Sequence, residues 1–312
     1  MLAEQRHRFP DVLGFVLGRM SRWPRRVLDG FGYFAYVVVY RILRWRRRLA
    51  ATNIANAFPD KTAEEREDIL QQSYRNLGRF LAEALWGWNA NADALAGHVR
   101  FVNPELISRY TGQGQSVVLL AAHFCNWEWL LLTAGGVLHV PIDAVYKPQR
   151  MKGIDEFLRA RRARFGGNPI PHQNFMFEVM KRKKDVRAYA LVADHTPKHD
   201  EEKHWTRFLN QDTAFFVGAD KITQFLEAPV VYVAMQRERR GHYRVKLHVL
   251  TEPPYDPDRD LPVMELYARK LEEEIRAHPA DWLWIHNKWK YPRPPDGDAK
   301  PPRRPRRAAR VP

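Results

Sequence analysis

The sequence is poor in several features, and each scarcity excludes a class of protein. Its 312 residues include a single cysteine, Cys125, which excludes an internal disulfide and predicts a reducing compartment. The most apolar segment, residues 27–43, is shorter than the roughly 20 apolar residues that a membrane-spanning helix needs. It also has Asp29 near one end and Arg41 near the other. No small-residue cleavage site follows, so we expect no standard signal peptide. Internal repeats and nucleic-acid-binding motifs are also missing from the sequence.

Negative charge is scarce at both ends of the chain. The formal net charge is +15. Residues 1–50 carry eleven Lys and Arg against three Asp and Glu, and residues 291–312 carry seven against two, so the rest carries only +2. A nucleic-acid groove would spread basic residues over the fold, and we therefore expect no nucleic-acid partner. A basic end beside an apolar segment suits an anionic membrane surface, an acidic carrier protein or a phosphorylated lipid.

Residues 1–50 are predicted to form a basic membrane-attachment segment. Apolar side chains in residues 1–26 recur with the spacing of an amphipathic helix at an interface; they are Phe9, Val12, Leu13, Phe15, Val16, Leu17, Met20 and Trp23. Residues 27–43 are compatible with a short tilted span, an interfacial helix or a core helix. The basic residues 44–48 are typical of a cytoplasmic border. Because charge is concentrated around this segment, we favour membrane attachment over a core helix.

The remainder of the chain divides into residues 51–290 and a Pro- and Arg-rich segment, 291–312, which is predicted to be a disordered tail. Thr62 and Glu65 form a capping-box pattern at the start of a helix predicted over 62–97. Predicted strands and helices then alternate: strands at 117–122, 141–146, 168–171, 186–193, 230–236 and 243–251, and helices at 154–165, 175–184, 215–227 and 261–278. This alternation predicts an α/β fold with a largely parallel sheet flanked by helices.

The candidate chemistry is concentrated in residues 117–130. The apolar run 117–122 predicts a buried strand, and Asn126 is a good N-cap for the helix that follows. His123 therefore falls in the turn between strand and helix, and Glu128 falls in the first helical turn, where it can point back towards the imidazole. The unpaired N–H groups near Asn126 suit an oxyanion or a phosphate.

A neutral imidazole in such a turn can remove the proton from an attacking hydroxyl at pH 7. A carboxylate on its other ring nitrogen would fix the tautomer and stabilise the imidazolium. A histidine at a strand end can equally be a purely structural group. Cys125 lies two residues from His123, but a small apolar filler is its more usual role.

Two other groups of polar residues have functional and structural interpretations. Arg159, Arg161, Arg162 and Arg164 share one helix next to Tyr146-Lys147, and Arg and Lys are the side chains that grip phosphate; a solvated basic face is the alternative. Downstream, Asp194 follows a strand and suits a hydrogen bond to a sugar or to the arginines.

The polar loop after Asp194 contains three histidines. His195, His199 and His204, with nearby carboxylates, permit a metal-assisted hydrolase. The three lie in a flexible, Pro-containing stretch rather than on a firm element, so we expect no metal site there.

Several segments together resemble the lipid A biosynthesis (lauroyl/myristoyl) acyltransferases, within the glycerolipid acyltransferase superfamily that shares an H-x4-D/E motif. The resemblance covers about residues 27–290, and its combination of motifs is specific although no single motif is. One departure is Met151, where the family commonly has Asn. The matching segments are His123 to Glu128, 46–59, Tyr146-Lys147-Pro148, 162–166, 208–218 and 282–290.

The resemblance implies a glycerolipid-acyltransferase-like fold for residues 51–290. It also implies transfer of a fatty acyl chain from acyl carrier protein to a hydroxyl of a phosphorylated glucosamine lipid, at the cytoplasmic face of the bacterial inner membrane. No cofactor and no acyl-enzyme are implied. Acyl-CoA as donor, another membrane lipid as acceptor, and a binding protein without chemistry remain open.

The resemblance also assigns roles to individual residues. His123 would be the general base and Glu128 its orienting carboxylate. Lys147, Arg162 and Arg164 would hold the phosphate of the acceptor or of the carrier's phosphopantetheine.

Overall fold

A computed structural model of the chain describes residues 8–256 and 262–294, with side chains from residue 13 onwards. The expectations for residues 1–7, for the side chains of Phe9 and Val12, and for the tail beyond 294 lie outside the described residues. The helices are α1 (Arg8–Met20), α2 (Arg25–Tyr36), α3 (Arg47–Ala57), α4 (Ala63–Gly87), α5 (Ala92–Ala96), α6 (Glu105–Thr111), α7 (Trp127–Leu138), α8 (Lys152–Arg162), α9 (Phe175–Lys181), α10 (Gly218–Leu226) and α11 (Val263–Ala277).

The strands confirm the predicted α/β fold. They are β1 (Val99–Phe101), β2 (Val117–Ala121), β3 (Ile142–Tyr146), β4 (Gly167–Pro171), β5 (Ala188–Val192), β6 (Lys203–Phe208), β7 (Gln211–Phe216), β8 (Val230–Arg239) and β9 (His242–Thr251). In the described part of the chain, seven strands form one sheet in the order β1-β9-β8-β2-β5-β3-β4. All neighbouring pairs are parallel except the β8–β9 hairpin.

Strand β2 lies in the middle of this sheet, between β5 and β8. Its residues Val117 to Leu120 are buried, as expected for a strand that is covered on both faces. β2 and β5 run parallel and in register from Val117↔Ala188 to Ala121↔Val192. The residues that follow these two strands therefore emerge side by side at the same edge of the sheet.

Two expectations about local structure in the second half of the chain were wrong. The polar loop after Asp194 is not open throughout, because residues from Lys203 pair with residues up to Phe216 in an antiparallel hairpin, β6–β7, outside the main sheet. The helix expected from Phe215 begins only at Gly218, since Phe215 is a buried strand residue. The turn of this hairpin, Leu209-Asn210, has two left-handed residues with φ of 48° and 63°.

The long helix α4 begins as predicted, with a capping box in which Thr62 and Glu65 satisfy each other's backbone N–H groups. It ends at Gly87, well before residue 97. Helix α2 crosses α4 at Gly32 and Gly78, where a Cβ on Gly32 would lie 2.4 Å from the carbonyl oxygen of Gly78. The absence of side chains lets the two helices touch backbone to backbone.

Residues 27–43 are helical and are divided by a change of helix type. Helix α2 continues into a π-helix over Val37–Ile42, and Arg44 and Arg46 then adopt left-handed conformations with φ of 49° and 54°. Leu28, Tyr36 and Tyr40 are buried, whereas Tyr33, Phe34, Ile42 and Leu43 are each about two-thirds exposed. No helix in the described residues combines the length and the apolar character needed to cross a membrane.

Candidate active site

His123 lies at the carboxyl end of β2, in the turn that leads into α7. The backbone of this turn is unusual, because Cys125 is left-handed with φ of 51°. The C-terminal segment holds the turn in place. Phe124 forms a β-bridge with Trp282, and the Cys125 N–H donates to the Asp281 carbonyl oxygen at 2.9 Å. The backbone around the imidazole is therefore held by one distant part of the chain, residues 281 and 282.

Asp194 is the carboxylate that contacts His123. His123 Nδ1 lies 2.7 Å from Asp194 Oδ1, and the His123 backbone N–H donates to Asp194 Oδ2 at 3.0 Å. Trp282 Nε1 donates to the same Oδ2 at 2.9 Å. The Asp194 side chain is only 4% exposed and that of His123 is 17% exposed. Three donors thus converge on a buried carboxylate and fix its orientation.

The electrostatics of this pair favour an ionised Asp194. Burial alone would raise the pKa of Asp194, but the charge and hydrogen bond of His123, with His195 and Trp282, bring it well below its usual range. An ionised carboxylate accepts from Nδ1–H, so the other ring nitrogen of neutral His123, Nε2, carries the lone pair. That nitrogen can accept a proton, and the carboxylate would then stabilise the imidazolium.

Two more imidazoles continue from His123 as a stack. The His195 ring lies 4.1 Å from the His123 ring at an angle of 13°, and the His286 ring lies 4.5 Å from His195. Burial lowers the pKa of His195 to about 3 and that of His286 to about 4, with the neighbouring His123 adding to both shifts. Both rings are therefore neutral at pH 7 and add no positive charge beside the pair.

Lys288 lies next to His195 and is buried. Its Nζ donates to the Ala214 carbonyl oxygen at 2.9 Å and to that of His195 at 3.3 Å. Burial lowers the pKa of Lys288 to about 7, and the charge of Asp194 offsets part of this shift. Lys288 thus ties the His195 backbone to the β6–β7 hairpin.

Glu128 does not take the place expected for it beside His123. Its two carboxylate oxygens accept from Arg162, with Nε 3.1 Å from Oε2 and Nη2 bonded to Oε1. The side chains are 6% and 18% exposed. Burial alone would lower the pKa of the Arg162 guanidinium, but the charge and hydrogen bonds of Glu128, with Tyr146 and Asp155, together raise it. A buried guanidinium needs a carboxylate, and Glu128 supplies it, so Asp194 takes the orienting position.

The side chain of Asn126 lies in the protein interior and makes structural hydrogen bonds. It is fully buried; its Oδ1 accepts from the Trp129 N–H at 3.0 Å, and its Nδ2 donates to Glu83 Oε2 at 2.9 Å. The N-cap prediction is confirmed, but the side chain is not placed to bind a substrate. The first-turn N–H groups of Trp127 and Glu128 have no acceptor among the described residues and are the donors available for an oxyanion.

The neighbouring thiol does not form a nucleophile with His123. Cys125 is 4% exposed, and burial, with Asp281 adding, raises the pKa of its thiol well above the usual value. A buried neutral thiol is a poor nucleophile, and the side chain acts as a small apolar filler.

The expected basic clamp is not assembled as a unit. Lys147 is exposed, and Arg162 is occupied by Glu128. Arg164 donates from Nη1 to the Trp88 carbonyl oxygen at 2.8 Å, and its guanidinium lies 4.6 Å from the centre of the Phe165 ring. Arg164 therefore fastens α8 to the end of α4 instead of standing free for a phosphate.

A small groove opens beside His123. Its volume is about 20 Å³, enough for about one water molecule. The rings of Phe80 and Trp127, which line it, stack at 4.0 Å. Asn76 and Arg237 line it as well. A fatty acyl chain would need these aromatic rings to separate.

The histidine loop does not converge on a metal position. His204 Nε2 lies 3.0 Å from Glu265, His195 belongs to the imidazole stack, and the ring of His199 packs edge-on against Tyr291. Within the described ranges 8–256 and 262–294, no group of three or more His, Cys, Asp or Glu is arranged to hold a metal ion. The structure gives no support to a metal-assisted hydrolase.

Sequence reasoning placed His123 and Asp194 at strand ends but missed that they meet. They are 71 residues apart, and only the adjacency of β2 and β5 brings them together. The available signal was that both follow buried parallel strands, whose carboxyl ends share one edge of the sheet. No local sequence pattern predicted that Trp282 and His286, from the segment that ends the domain, contribute side chains to the site.

A family model described as bacterial lipid A biosynthesis acyltransferase matches residues 12–291 of the chain. The chain belongs to this family. The matched range contains α2 to α11 and all nine strands given above, and so includes both partners of the His123–Asp194 pair.

Individual relatives agree with this assignment at low identity. A lipid A biosynthesis acyltransferase of Haemophilus influenzae is 24% identical over 256 residues, covering 77% of this chain and 74% of the relative. The lipid A biosynthesis palmitoleoyltransferase of Escherichia coli is 22% identical, covering 88% and 90%. The lauroyltransferase of the same organism is 21% identical, covering 88% and 89%. The names of these relatives differ in the acyl group transferred, so identity at this level does not fix the acyl chain of this family member.

Proposed function

We propose that the protein transfers a fatty acyl chain from an acyl thioester to a hydroxyl group of a lipid A precursor. The observation that carries the proposal is the His123–Asp194 pair at the carboxyl edge of the sheet, in a chain that matches the lipid A acyltransferase family over almost its whole length. The donor is acyl carrier protein, whose acidic surface would suit the basic excess of residues 1–50.

The reaction needs one proton acceptor and one group that stabilises negative charge. His123 Nε2 takes the proton of the acceptor hydroxyl while its oxygen attacks the thioester carbonyl carbon. Asp194 stabilises the imidazolium that forms. The tetrahedral intermediate then collapses, the C–S bond breaks, and the leaving thiolate takes the proton back from His123. The products are the acyl ester and the free thiol.

The oxyanion of the intermediate would be stabilised by the first turn of α7. The N–H groups of Trp127 and Glu128 point out of the helix N-terminus, which carries a partial positive charge. Donors of this kind contribute roughly 3–4 kcal/mol to the transition state of acyl transfer. Asn126 supports them by capping the helix.

Glu128 acts on the site through Arg162. Holding the guanidinium by two of its nitrogens leaves Nη1 available for a phosphate of the donor or the acceptor. Lys147 is exposed and supplies a second, mobile charge. These roles make Glu128 a positioning residue.

The protein would work at the cytoplasmic face of the bacterial inner membrane. Support comes from the exposed apolar side chains that α1, α2 and the π-helix carry beside their arginines. The most exposed are Phe15 (68% exposed), Tyr33, Phe34 and Ile42, together with Leu43 directly after the π-helix. Such a surface binds an anionic bilayer through apolar burial and charge together.

Purified protein tests the proposal directly. Acyl carrier protein loaded with a defined acyl chain is mixed with a lipid A precursor in micelles, and mass spectrometry records the mass of one added acyl group. We expect transfer by the wild type and by His172→Gln, a change at an exposed histidine, and a loss of about 10²- to 10⁴-fold in His123→Gln. Undiminished transfer by His123→Gln would exclude this mechanism. Acyl-CoA and a phospholipid acceptor, tried in parallel, identify the donor and the acceptor.

A further inference from the structure

A second cavity, of about 630 Å³, lies between α2, α4 and the turn that joins β8 to β9. It is much larger than the groove at His123, and basic side chains dominate its wall. The lining residues are Arg26, Asp29, Gly30, Tyr33, Tyr36, Arg75, Arg79 and Arg240.

Positive charge in this cavity exceeds negative charge by three. Asp29 is paired with Arg240 at 3.2 Å. Arg26 has no acidic partner within the described residues. Arg75 lies over the ring of Tyr36, 5.6 Å from its centre, and Arg79 donates to the neutral Asn76 at 3.0 Å. Burial lowers the pKa of Arg79, and Arg237 and Arg240 add to the shift. Within the described residues, Arg26, Arg75 and Arg79 therefore face the same space without an ion pair, and the charge of Glu83 offsets only part of the shift at Arg79.

The wall of the cavity is preformed. Tyr36 stacks on Tyr40 at 5.5 Å, and the backbone contact between Gly32 and Gly78 fixes α2 against α4. Arg75 and Arg79 lie one turn apart on α4, and the same turns carry Gly78. The packing of α2 against α4 therefore fixes the backbone positions of Arg75 and Arg79, whose exposed side chains a ligand can reach.

The cavity lies next to the groove at His123. Asn76 and Phe80, which flank Arg79 on α4, both line that groove, and so does Arg237. A ligand with an anionic group in the cavity can therefore extend another part towards His123.

We propose that this cavity binds the phosphate of a lipid headgroup. Guanidinium groups match phosphate oxygens in bidentate pairs, and a phosphate monoester would neutralise most of the excess charge. A lipid is favoured because α2, which forms one wall, also carries the exposed Val27, Tyr33 and Phe34. The inference rests on the proposed function for its choice of a lipid. The phosphate can come from the sugar of the acceptor glycolipid or from an anionic phospholipid of the membrane.

Binding measured without an acyl donor tests the cavity. The probe is a bis-phosphorylated glucosamine disaccharide lipid in phosphatidylcholine vesicles, compared with the same lipid after enzymatic removal of its phosphates. We expect the wild type to prefer the phosphorylated form, and Arg75→Gln/Arg79→Gln to lose about 10- to 100-fold of that affinity.

The matched control is Arg22→Gln/Arg66→Gln. It also removes two positive charges, one of them on α4, but neither residue lines the cavity. We expect it to bind within about two-fold of the wild type. Wild-type affinity in Arg75→Gln/Arg79→Gln, or an equal loss in both double variants, would overturn the proposal.

Vesicles with phosphatidylglycerol at equal surface charge distinguish the two sources. If Arg75→Gln/Arg79→Gln loses affinity for the glycolipid vesicles alone, the cavity binds the acceptor. If it loses affinity for both kinds of vesicle, the cavity also binds phospholipid. Either result supports a phosphate site. The binding assay contains no acyl donor, so its result is independent of the transfer assay. Wild-type binding here, together with no acyl transfer when acyl carrier protein is supplied as donor, would refute the proposed function and leave the cavity standing. Acyl transfer with unchanged binding in the variants would do the reverse.

Discussion

Two buried carboxylates flank the turn at His123, and they differ in their partners rather than in their burial. Asp194 is 4% exposed and meets an imidazole, whereas Glu128 is 6% exposed and meets a guanidinium. An imidazole changes its charge near neutral pH, and a guanidinium does not. The first pair can therefore take up and return a proton, while the second can only hold a position.

The comparison shows that a linear motif does not reveal its own pairing. His123 and Glu128 are five residues apart, yet each pairs with a residue from a different strand or helix. Asp194 comes from the end of β5 and Arg162 from the end of α8. We expect changes in the first pair to affect the rate, and changes in the second to affect stability first.

The largest effect is expected for Asp194→Asn. The amide keeps the size of the side chain but cannot stabilise the imidazolium, and it permits the wrong tautomer of His123, so kcat should fall by roughly 10³- to 10⁴-fold. The melting temperature should also fall, because the folded protein stabilises the ionised carboxylate that the amide replaces, so kcat is compared at a temperature at which both proteins are folded. Steady-state kinetics with calorimetry measure both quantities, and Asp212→Asn, a change at an exposed residue, is the control.

A double variant shows whether Asp194 acts through His123. In His123→Gln, adding Asp194→Asn should cost almost no further activity, because the group that the carboxylate orients is already gone. Additive losses would mean that Asp194 has an independent role, such as binding the acceptor sugar, and would break the contrast between the two pairs.

Glu128→Gln should lower the unfolding free energy by about 3 kcal/mol, since it leaves a buried guanidinium without a carboxylate. Urea denaturation measures this loss. The matched control is Glu156→Gln on α8, whose ion pair with Lys152 is exposed and should cost less than about 1 kcal/mol. A large loss of kcat in Glu128→Gln with unchanged stability would place Glu128 in the chemistry instead.

A variant that replaces both Glu128 and Arg162 tests the same explanation of the stability loss. Glu128→Gln/Arg162→Met removes the buried charge together with its counter-charge, so part of the stability lost in Glu128→Gln should return, by about 1–2 kcal/mol. The measurement is again urea denaturation. Stability below that of Glu128→Gln would show that Arg162 contributes packing that methionine cannot replace.

A pH-dependent effect concerns the lysine beside the first pair. The pKa of Lys288 is about 7 in the folded protein and about 10.4 when unfolded, so the unfolded chain binds more protons between these values. The unfolding free energy of the wild type should therefore rise as pH increases across this window. The stability gained in this way is lost again as pH falls to about 7. Lys288→Met lacks this contribution. The unfolding free energy of the wild type minus that of the variant should therefore increase from pH 6.5 to 9.5. A constant difference would contradict the lowered pKa.

Strong local patterns predicted the fold well. The apolar run 117–122, the Asn126 cap and the Thr62–Glu65 capping box all correspond to elements in the structure, because each signal depends on neighbouring residues. The β6–β7 hairpin was missed because its sequence, with His204, Arg207 and Asp212, is polar and its strands lie outside the main sheet.

The site was predictable only in part, for a physical reason. The positions of His123 and Asp194 follow from strand ends, but their contact depends on the order of strands in the sheet, which no local pattern gives. Glu128 was assigned to the nearest histidine in sequence, but in the structure it forms an ion pair with a buried arginine from α8. The large basic cavity joins three separate elements and had no signal in any of them.

The β-bridge between Phe124 and Trp282, together with the indole that donates to Asp194, has a consequence for how the protein is made. A growing chain on the ribosome has the imidazole and its carboxylate long before it has residue 282. Until that last stretch has left the exit tunnel, the turn lacks the bridge to Trp282, and the carboxylate of Asp194 lacks one of its three hydrogen-bond donors.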